Sequence, residues 1–309
     1  MRPRLSIHLN NFGQSGIDIG RLVRLAENAD AAGIDRVVVS DHVVFGNDLE
    51  AYADPRIGGI EGGKQPTGPD GWWLEPLAVL TYVAARTQNI RLGTSILLAA
   101  LRRPIVLAKQ LSTIDVMSNG RLDIGGGVGW QREEYTASDL DFAGRGGHLD
   151  RTLGALRAAW SGSMDWDGPA GSTEIHQYPQ PAQIGKDGVP RIPLWIAGTS
   201  KARTIERIVR FGDGWIPWGP DIAEPAGGIS AITRALDEAG RQSDDLRVET
   251  RVGVPGFRSG TPEWSVLRSE AARLTDAGVT DLRLDHVNVE SSDHELDVLS
   301  QAVAEVAGL

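Results

Sequence analysis

Eight strand-like segments alternating with eight helical stretches predict an α/β protein, a (β/α)8 TIM barrel formed as a single domain over residues 1–309. Length supports this class, since such barrels commonly reach about 250 residues, and a hydrophobic content of 41% is enough for one large core. Turn chemistry is the third observation. Ala32-Gly33-Ile34, Phe211-Gly212-Asp213-Gly214 and Ala277-Gly278-Val279 each put glycine between a helix and the strand that follows it.

The strands are expected at residues 5–9, 36–40, 90–95, 122–126, 194–197, 214–217, 248–252 and 281–284. The first helix, 18–32, lines up Ile19, Leu22, Val23, Ala26 and Ala29 on one face and stops at Gly33. The others are expected to begin near Glu75, Pro104, Gly147, Thr199, Gly227, Pro262 and Asp293. Pro104 suits a first helical turn, and Asn119-Gly120 marks the end of that helix. Two connections are long and rich in glycine and proline, 45–73 and 165–193. Connections of this length in a compact domain are usually functional or disordered. The first follows the second strand and is expected over the barrel mouth as a substrate lid carrying Trp72 and Trp73, two residues that equally suit pinning the loop to the body. The second precedes the fifth strand and is expected as an insertion toward the opposite face.

A net charge of −10 with dispersed basic residues excludes a broad nucleic-acid surface. The absence of cysteine excludes disulfides, thiolate nucleophiles and zinc–sulfur sites. The opening Met1-Arg2-Pro3-Arg4 and its short apolar strand lack the length of a signal peptide, and no apolar run approaches the ~18 residues of a membrane span. A soluble cytoplasmic protein acting on a small molecule is expected, without membrane or nucleic-acid partners.

Chemistry is expected at the carboxyl ends of the strands. Ser40-Asp41-His42 follows the strand Arg36-Val37-Val38-Val39 and sets an acid beside an imidazole at the mouth. His8, Asn10, Ser95, the run from Gly125 to Trp130, the run from Gly198 to Lys201, Trp218, Asp285 and His286 fall at the same end. Trp72, Trp73, Trp130 and Trp218 are candidates for walls around a flat conjugated ligand, whereas Trp195 and Trp215 lie inside strands and are assigned to packing. Gly125-Gly126-Gly127-Val128-Gly129 fails the dinucleotide pattern because Trp130 takes the last glycine's place and the run follows the fourth strand; it is read as backbone on which a ring can lie. Ala197-Gly198-Thr199-Ser200-Lys201, with Arg203 and Arg207 in the turns beyond, fits a phosphate site at a helix start, or an N-cap by Thr199 or Ser200.

Four segments together resemble the bacterial-luciferase-like superfamily of flavin and deazaflavin oxidoreductases: Ser40-Asp41-His42, Leu92-Gly93-Thr94-Ser95-Ile96, Gly120-Arg121-Leu122-Asp123 through Gly129-Trp130, and Ala197-Gly198-Thr199 with Phe211-Gly212-Asp213-Gly214-Trp215. The resemblance implies a cofactor in the mouth of the barrel, supported by a bulge with a non-proline cis peptide at Ser95–Ile96. It also implies that Gly127, Gly129 and Trp130 line that cofactor and that Gly198, Thr199, Ser200 and Lys201 receive its phosphate. Asp41-His42 resembles the branch that uses the deazaflavin F420. In that branch hydride moves at ring carbon five, His42 handles the accompanying proton, and Asp41 orients His42 or contacts the cofactor. Trp72, Trp73, Trp218 and His8 would face the substrate, and the barrels would pair as a homodimer. One departure weighs against glucose-6-phosphate as substrate: Trp130 stands where related sugar-phosphate dehydrogenases carry glutamate, and Val43 and Val44 follow His42 where an aromatic residue is expected. The alternatives are an FMN-dependent monooxygenase, a metal-dependent barrel hydrolase using His8, His42, Asp285 and His286, and a cofactor-binding protein without catalysis.

Overall fold

In the computed structural model, which describes residues 2–168 and 171–308, eight parallel strands close into a barrel. They are β1 (Arg4–His8), β2 (Arg36–Val39), β3 (Arg91–Leu97), β4 (Leu122–Gly126), β5 (Leu194–Gly198), β6 (Gly214–Pro217), β7 (Arg247–Arg251) and β8 (Asp281–Leu284). Each pairs with its successor, and β8 closes on β1 with Arg4 opposite Asp281. The eight expected strands are all present, each end within two residues. The fold is a TIM barrel.

The helices are α1 (Ile19–Ala32), α2 (Pro76–Ala84), α3 (Pro104–Met117), α4 (Arg132–Ala137), α5 (Arg145–Ala159), α6 (Ala202–Phe211), α7 (Ala226–Glu238), α8 (Trp264–Asp276) and α9 (Ser292–Ala307). Local chemistry explains their ends. The Asp18 carboxylate accepts the Arg21 N–H at 2.9 Å, and Gly33 takes φ +79° to close α1. Pro76 and Pro104 open α2 and α3, where a missing N–H costs nothing. The helix after β5 begins at Ala202 rather than Thr199, and α8 at Trp264 rather than Pro262.

Two elements depart from the expectation. The short α4 follows β4 directly, and an antiparallel hairpin of Ser163–Gly168 with Gly171–His176 occupies ground assigned to an irregular loop. Its strands lie on the surface, so only Met164, Trp166 and Ile175, alternating with polar residues, betray them. The chain beyond the hairpin runs beneath the barrel. There Asp115 accepts the Ala182 and Gln183 N–H groups at 2.8 and 3.2 Å, and Gln183 donates to the Leu122 carbonyl at 2.7 Å. Among the described residues no helix is long and apolar enough to cross a membrane.

An aliphatic shell fills the space between strands and helices, with Leu22, Ala26, Leu80, Leu107, Leu153 and Leu299 among its members. The barrel axis, by contrast, is ionic. Arg36 on β2 donates to Glu249 on β7 and lies 3.5 Å from Asp123 on β4 and 3.7 Å from Asp281 on β8. Its guanidinium also sits 4.3 Å above the Trp195 ring. Trp195 and Trp215 are buried, as packing residues should be.

Candidate functional site

His42 leaves the end of β2 and is fixed by an acid that the sequence did not single out for it. Its Nδ1 lies 3.1 Å from Glu134 Oε1, the same oxygen that accepts the Val43 N–H at 2.8 Å. Because that oxygen is an acceptor, Nδ1 carries the proton, and in the neutral imidazole Nε2 then presents a lone pair. Gln65, in the long connection after β2, approaches Nε2 at 3.2 Å. Glu134 belongs to α4, and its side chain is fully buried.

Asp41 points elsewhere. It accepts the Leu98 N–H at 2.8 Å and two Arg102 N–H groups at 2.6 and 3.2 Å. The expectation that Asp41 orients His42 is therefore corrected: Glu134 holds the imidazole, and Asp41 ties β2 to the chain just beyond β3. Within β3, just before that chain, the Ser95–Ile96 peptide is cis, with a register shift in the β3–β4 ladder between Thr94 and Leu97. Glycines of the next turn pack onto this bulge. A Cβ on Gly127 would stand 2.3 Å from Ile96 Cδ1, and one on Gly129, at φ +71°, would stand 2.7 Å from Leu98 Cδ2.

Aromatic rings enclose His42. Phe45 lies 4.4 Å from it, Trp73 4.6 Å edge-on and Trp130 6.1 Å edge-on, between ring centroids. Phe12 stacks on Trp73 at 4.3 Å, and Trp73–Phe12 is also a point of strand pairing between Trp72–Trp73 and Phe12–Gly13. Trp73 thus pins the connection after β2 while facing the imidazole. Trp218 holds the same connection from β6, donating to the Gly58 and Gly59 carbonyls at 3.1 and 3.0 Å. Trp72 is 59% exposed and stands outside this group of rings.

His8 ends β1 against Ser40, with Nε2 2.8 Å from its Oγ, and Ser40 Oγ donates to the Ser95 carbonyl at 3.3 Å. Burial, followed by the nearby Arg283 and His286, lowers the His8 pKa to about 3. Ser95 Oγ accepts from Arg283 at 3.0 Å and lies 3.3 Å from Glu249, so the bulge rests on the ionic axis of the barrel. Of the histidines and acids proposed for a metal site, His8 is engaged by Ser40, His42 by Glu134, and Asp285 by Arg251 and Arg258.

The loop after β5 differs from the capping expectation made for it. Neither Thr199 nor Ser200 caps α6; Lys201 occupies the N-cap position without a side-chain bond. Ser200 instead gives its N–H and hydroxyl to Asp221, at 2.6 and 3.1 Å. Arg207 is paired with Asp150 at 2.5 Å, which leaves Lys201 and Arg203 as the exposed cations of the turn. Gly198, at φ +150°, would place a Cβ 2.9 Å from Thr204 Oγ1.

These residues fit a flat, phosphate-bearing cofactor at the ring end. The bulge, the glycine turn and the aromatic wall converge there. Three buried polar atoms of the same end, Asn10 Oδ1, Trp130 Nε1 and Glu134 Oε2, have no protein partner. At the phosphate end the fit rests on Thr199, Lys201 and Arg203, because Asp221 holds the Ser200 donors.

Comparison with known proteins agrees with this architecture. An uncharacterized protein of Mycobacterium tuberculosis is 31% identical over 176 residues, 54% of this chain and 58% of the relative. The match therefore spans little more than half the relative's length. The F420-dependent glucose-6-phosphate dehydrogenase of Mycolicibacterium fortuitum is 29% identical over 237 residues, 73% of this chain and 61% of the relative. The crystal structure of the monooxygenase RslO1 from Streptomyces bottropensis superposes with a TM-score of 0.74 at 20% identity, covering 98% of each chain, which is a likeness of fold. The model of the luciferase-like monooxygenase family matches residues 5–256, spanning β1 to the loop after β7 and taking in His42, the bulge and the glycine turn; the chain belongs to that family.

Proposed function

We propose that this protein is an oxidoreductase that moves hydride between F420 and a small organic substrate. The observation that carries the reading is His42, held at Nδ1 by buried Glu134 with Nε2 turned toward Gln65 of the connection after β2, beside the Ser95–Ile96 bulge and inside an aromatic wall. The F420 dependence of the Mycolicibacterium relative supports the choice of cofactor.

When bound, F420 supplies the hydride donor or acceptor at ring carbon five. The protein's own task is the proton. With Nδ1–H directed at Glu134, Nε2 of His42 takes a proton from a substrate hydroxyl as the substrate is oxidised, or returns one to a carbonyl oxygen in the reverse direction. Glu134 keeps the imidazole in the tautomer that permits this. Phe45, Trp73 and Trp130 exclude water around it. The connection 45–73 serves as the lid in this reading, with Gln65 reaching the working nitrogen. Asp41 acts on the bulge through Leu98 and Arg102 rather than on the proton. A homodimer and a cytoplasmic location complete the proposal.

Fluorescence titration with F420 and, in parallel, FMN tests the cofactor. Micromolar or tighter binding of F420 with weak FMN binding supports the reading, and the reverse preference moves the protein to the FMN-dependent monooxygenases. His42→Ala is expected to keep its F420 dissociation constant and to lose turnover by roughly 10²–10⁴-fold, the usual contribution of a positioned acid or base. Unchanged turnover removes His42 from the mechanism.

A further inference from the structure

The ends of β7 and β8 carry a concentration of positive charge unusual for a chain of net charge −10. A cleft of about 480 Å³ opens there, lined by the loop from Gly253 to Gly256 together with Arg258, Ser259 and Asp285. Arg251 and Arg258 both donate to one oxygen of Asp285, Oδ2, at 2.9 and 3.2 Å. Each guanidinium has five N–H donors in a fixed fork, and both side chains are more than half exposed. One carboxylate oxygen therefore stands between two cations with donors to spare.

Deeper in the same direction lies Arg283. It donates to Ser95 Oγ at 3.0 Å, and its buried Nε has no partner, the nearest carboxylate oxygen being that of Glu249 at 3.7 Å. Glu249 already serves Arg36. Arg251 and Arg258 thus share the one carboxylate of Asp285, and Arg283 has only a distant claim on Glu249, which Arg36 engages together with Asp123 and Asp281. His286 is held below its ordinary value by burial and then by Arg258, as His8 is by burial and then by Arg283.

We propose that this cleft is the anion end of the substrate pocket, so that the substrate carries a carboxylate or phosphate group bound by Arg251 and Arg258. Resting on the function proposed above, this places the reacting carbon beside Ser95 and His42 and the anion at the outer arginines, with Arg283 between them. Planar forks that meet at one point suit a two-oxygen anion, which replaces Asp285 Oδ2 as their shared acceptor. A phosphate or carboxylate elsewhere on the cofactor offers the same chemistry, and the test separates the two sources.

The probe is inorganic phosphate, titrated calorimetrically into the protein alone and into protein saturated with F420 or FMN, whichever binds. The expected result is phosphate binding that persists in the cofactor-loaded protein and weakens by roughly tenfold or more in Arg258→Gln and in the double variant Arg251→Gln/Arg258→Gln, while the cofactor's own dissociation constant is unchanged. Arg258 lies outside the barrel strands, so the single variant remains informative where the double variant fails to fold. Phosphate affinity equal in wild type and Arg258→Gln overturns the proposal, as does absence of binding to the wild type. Loss of phosphate binding on cofactor loading, with weaker cofactor binding in the variants, also overturns it and assigns the arginines to the cofactor. If neither cofactor binds, the proposed function falls, and the titration of the protein alone still decides whether the arginines form an anion site.

Discussion

Glu134 lies 92 residues from His42 in the chain, yet it supplies the bond that fixes the imidazole. The histidine itself was legible, because an Asp-His pair at the end of a β-branched strand has few other places to be. Its partner was not, since the contact is made by a one-and-a-half-turn helix with no periodicity long enough to read, and the nearer acid, Asp41, offered a simpler pairing. A specific expectation follows. Glu134→Gln keeps an oxygen for the Val43 N–H but no longer supports a charged imidazole. It is expected to lower kcat by roughly 10–100-fold, the range seen when an orienting partner of a histidine is removed, and to displace the pH profile of kcat. The cofactor dissociation constant and melting temperature are expected to stay within error of wild type. A parallel drop in melting temperature and activity, with an unchanged pH profile, would reduce Glu134 to a packing residue.

At the scale of elements, the barrel strands were readable because most carry short apolar runs, several entered from a glycine turn, and a closed parallel sheet buries both faces of such runs. The surface strand pair Ser163–Gly168 and Gly171–His176 was not, because its two strands pair with each other and bury little, so hydrophobic patterning carried almost no signal. The start of α6 shows the same limit. Thr199 and Ser200 look like caps in sequence, but a cap is chosen by geometry, and Asp221 arrives from beyond β6 to take the Ser200 donors. What the element presents outward is Lys201 at the N-cap, with Arg203 behind it. Lys201→Glu is expected to weaken cofactor binding by roughly three- to tenfold, the scale of a charge reversed at a helix start. A dissociation constant equal to that of the wild type would make this turn an ordinary beginning of a helix.

For the whole molecule, His8 couples stability to pH. Its folded value, about 3, lies below the ordinary 6.5 because the site is buried among arginines. Between these values the unfolded chain binds a proton that the folded protein refuses, so stability is lost as pH falls through that window and is complete above it. His8→Gln, which cannot take up that proton in either state, is expected to melt closer to wild type, or above it, at pH 4.5 than at pH 7.5. An equal offset at both pH values would show that His8 contributes nothing to the acid limb. The ionic barrel axis has a different consequence, one that concerns inheritance. Arg36, Asp123, Glu249 and Asp281 come from β2, β4, β7 and β8, and each is buried at the expense of hydration unless the others are present. A mouth loop can be exchanged with a relative's one at a time, but a chimera whose crossover separates β2 and β4 from β7 and β8 inherits half of a charge set. Viable recombinants of this barrel should therefore either keep all four residues from one parent or draw on a second parent that carries the same four charges.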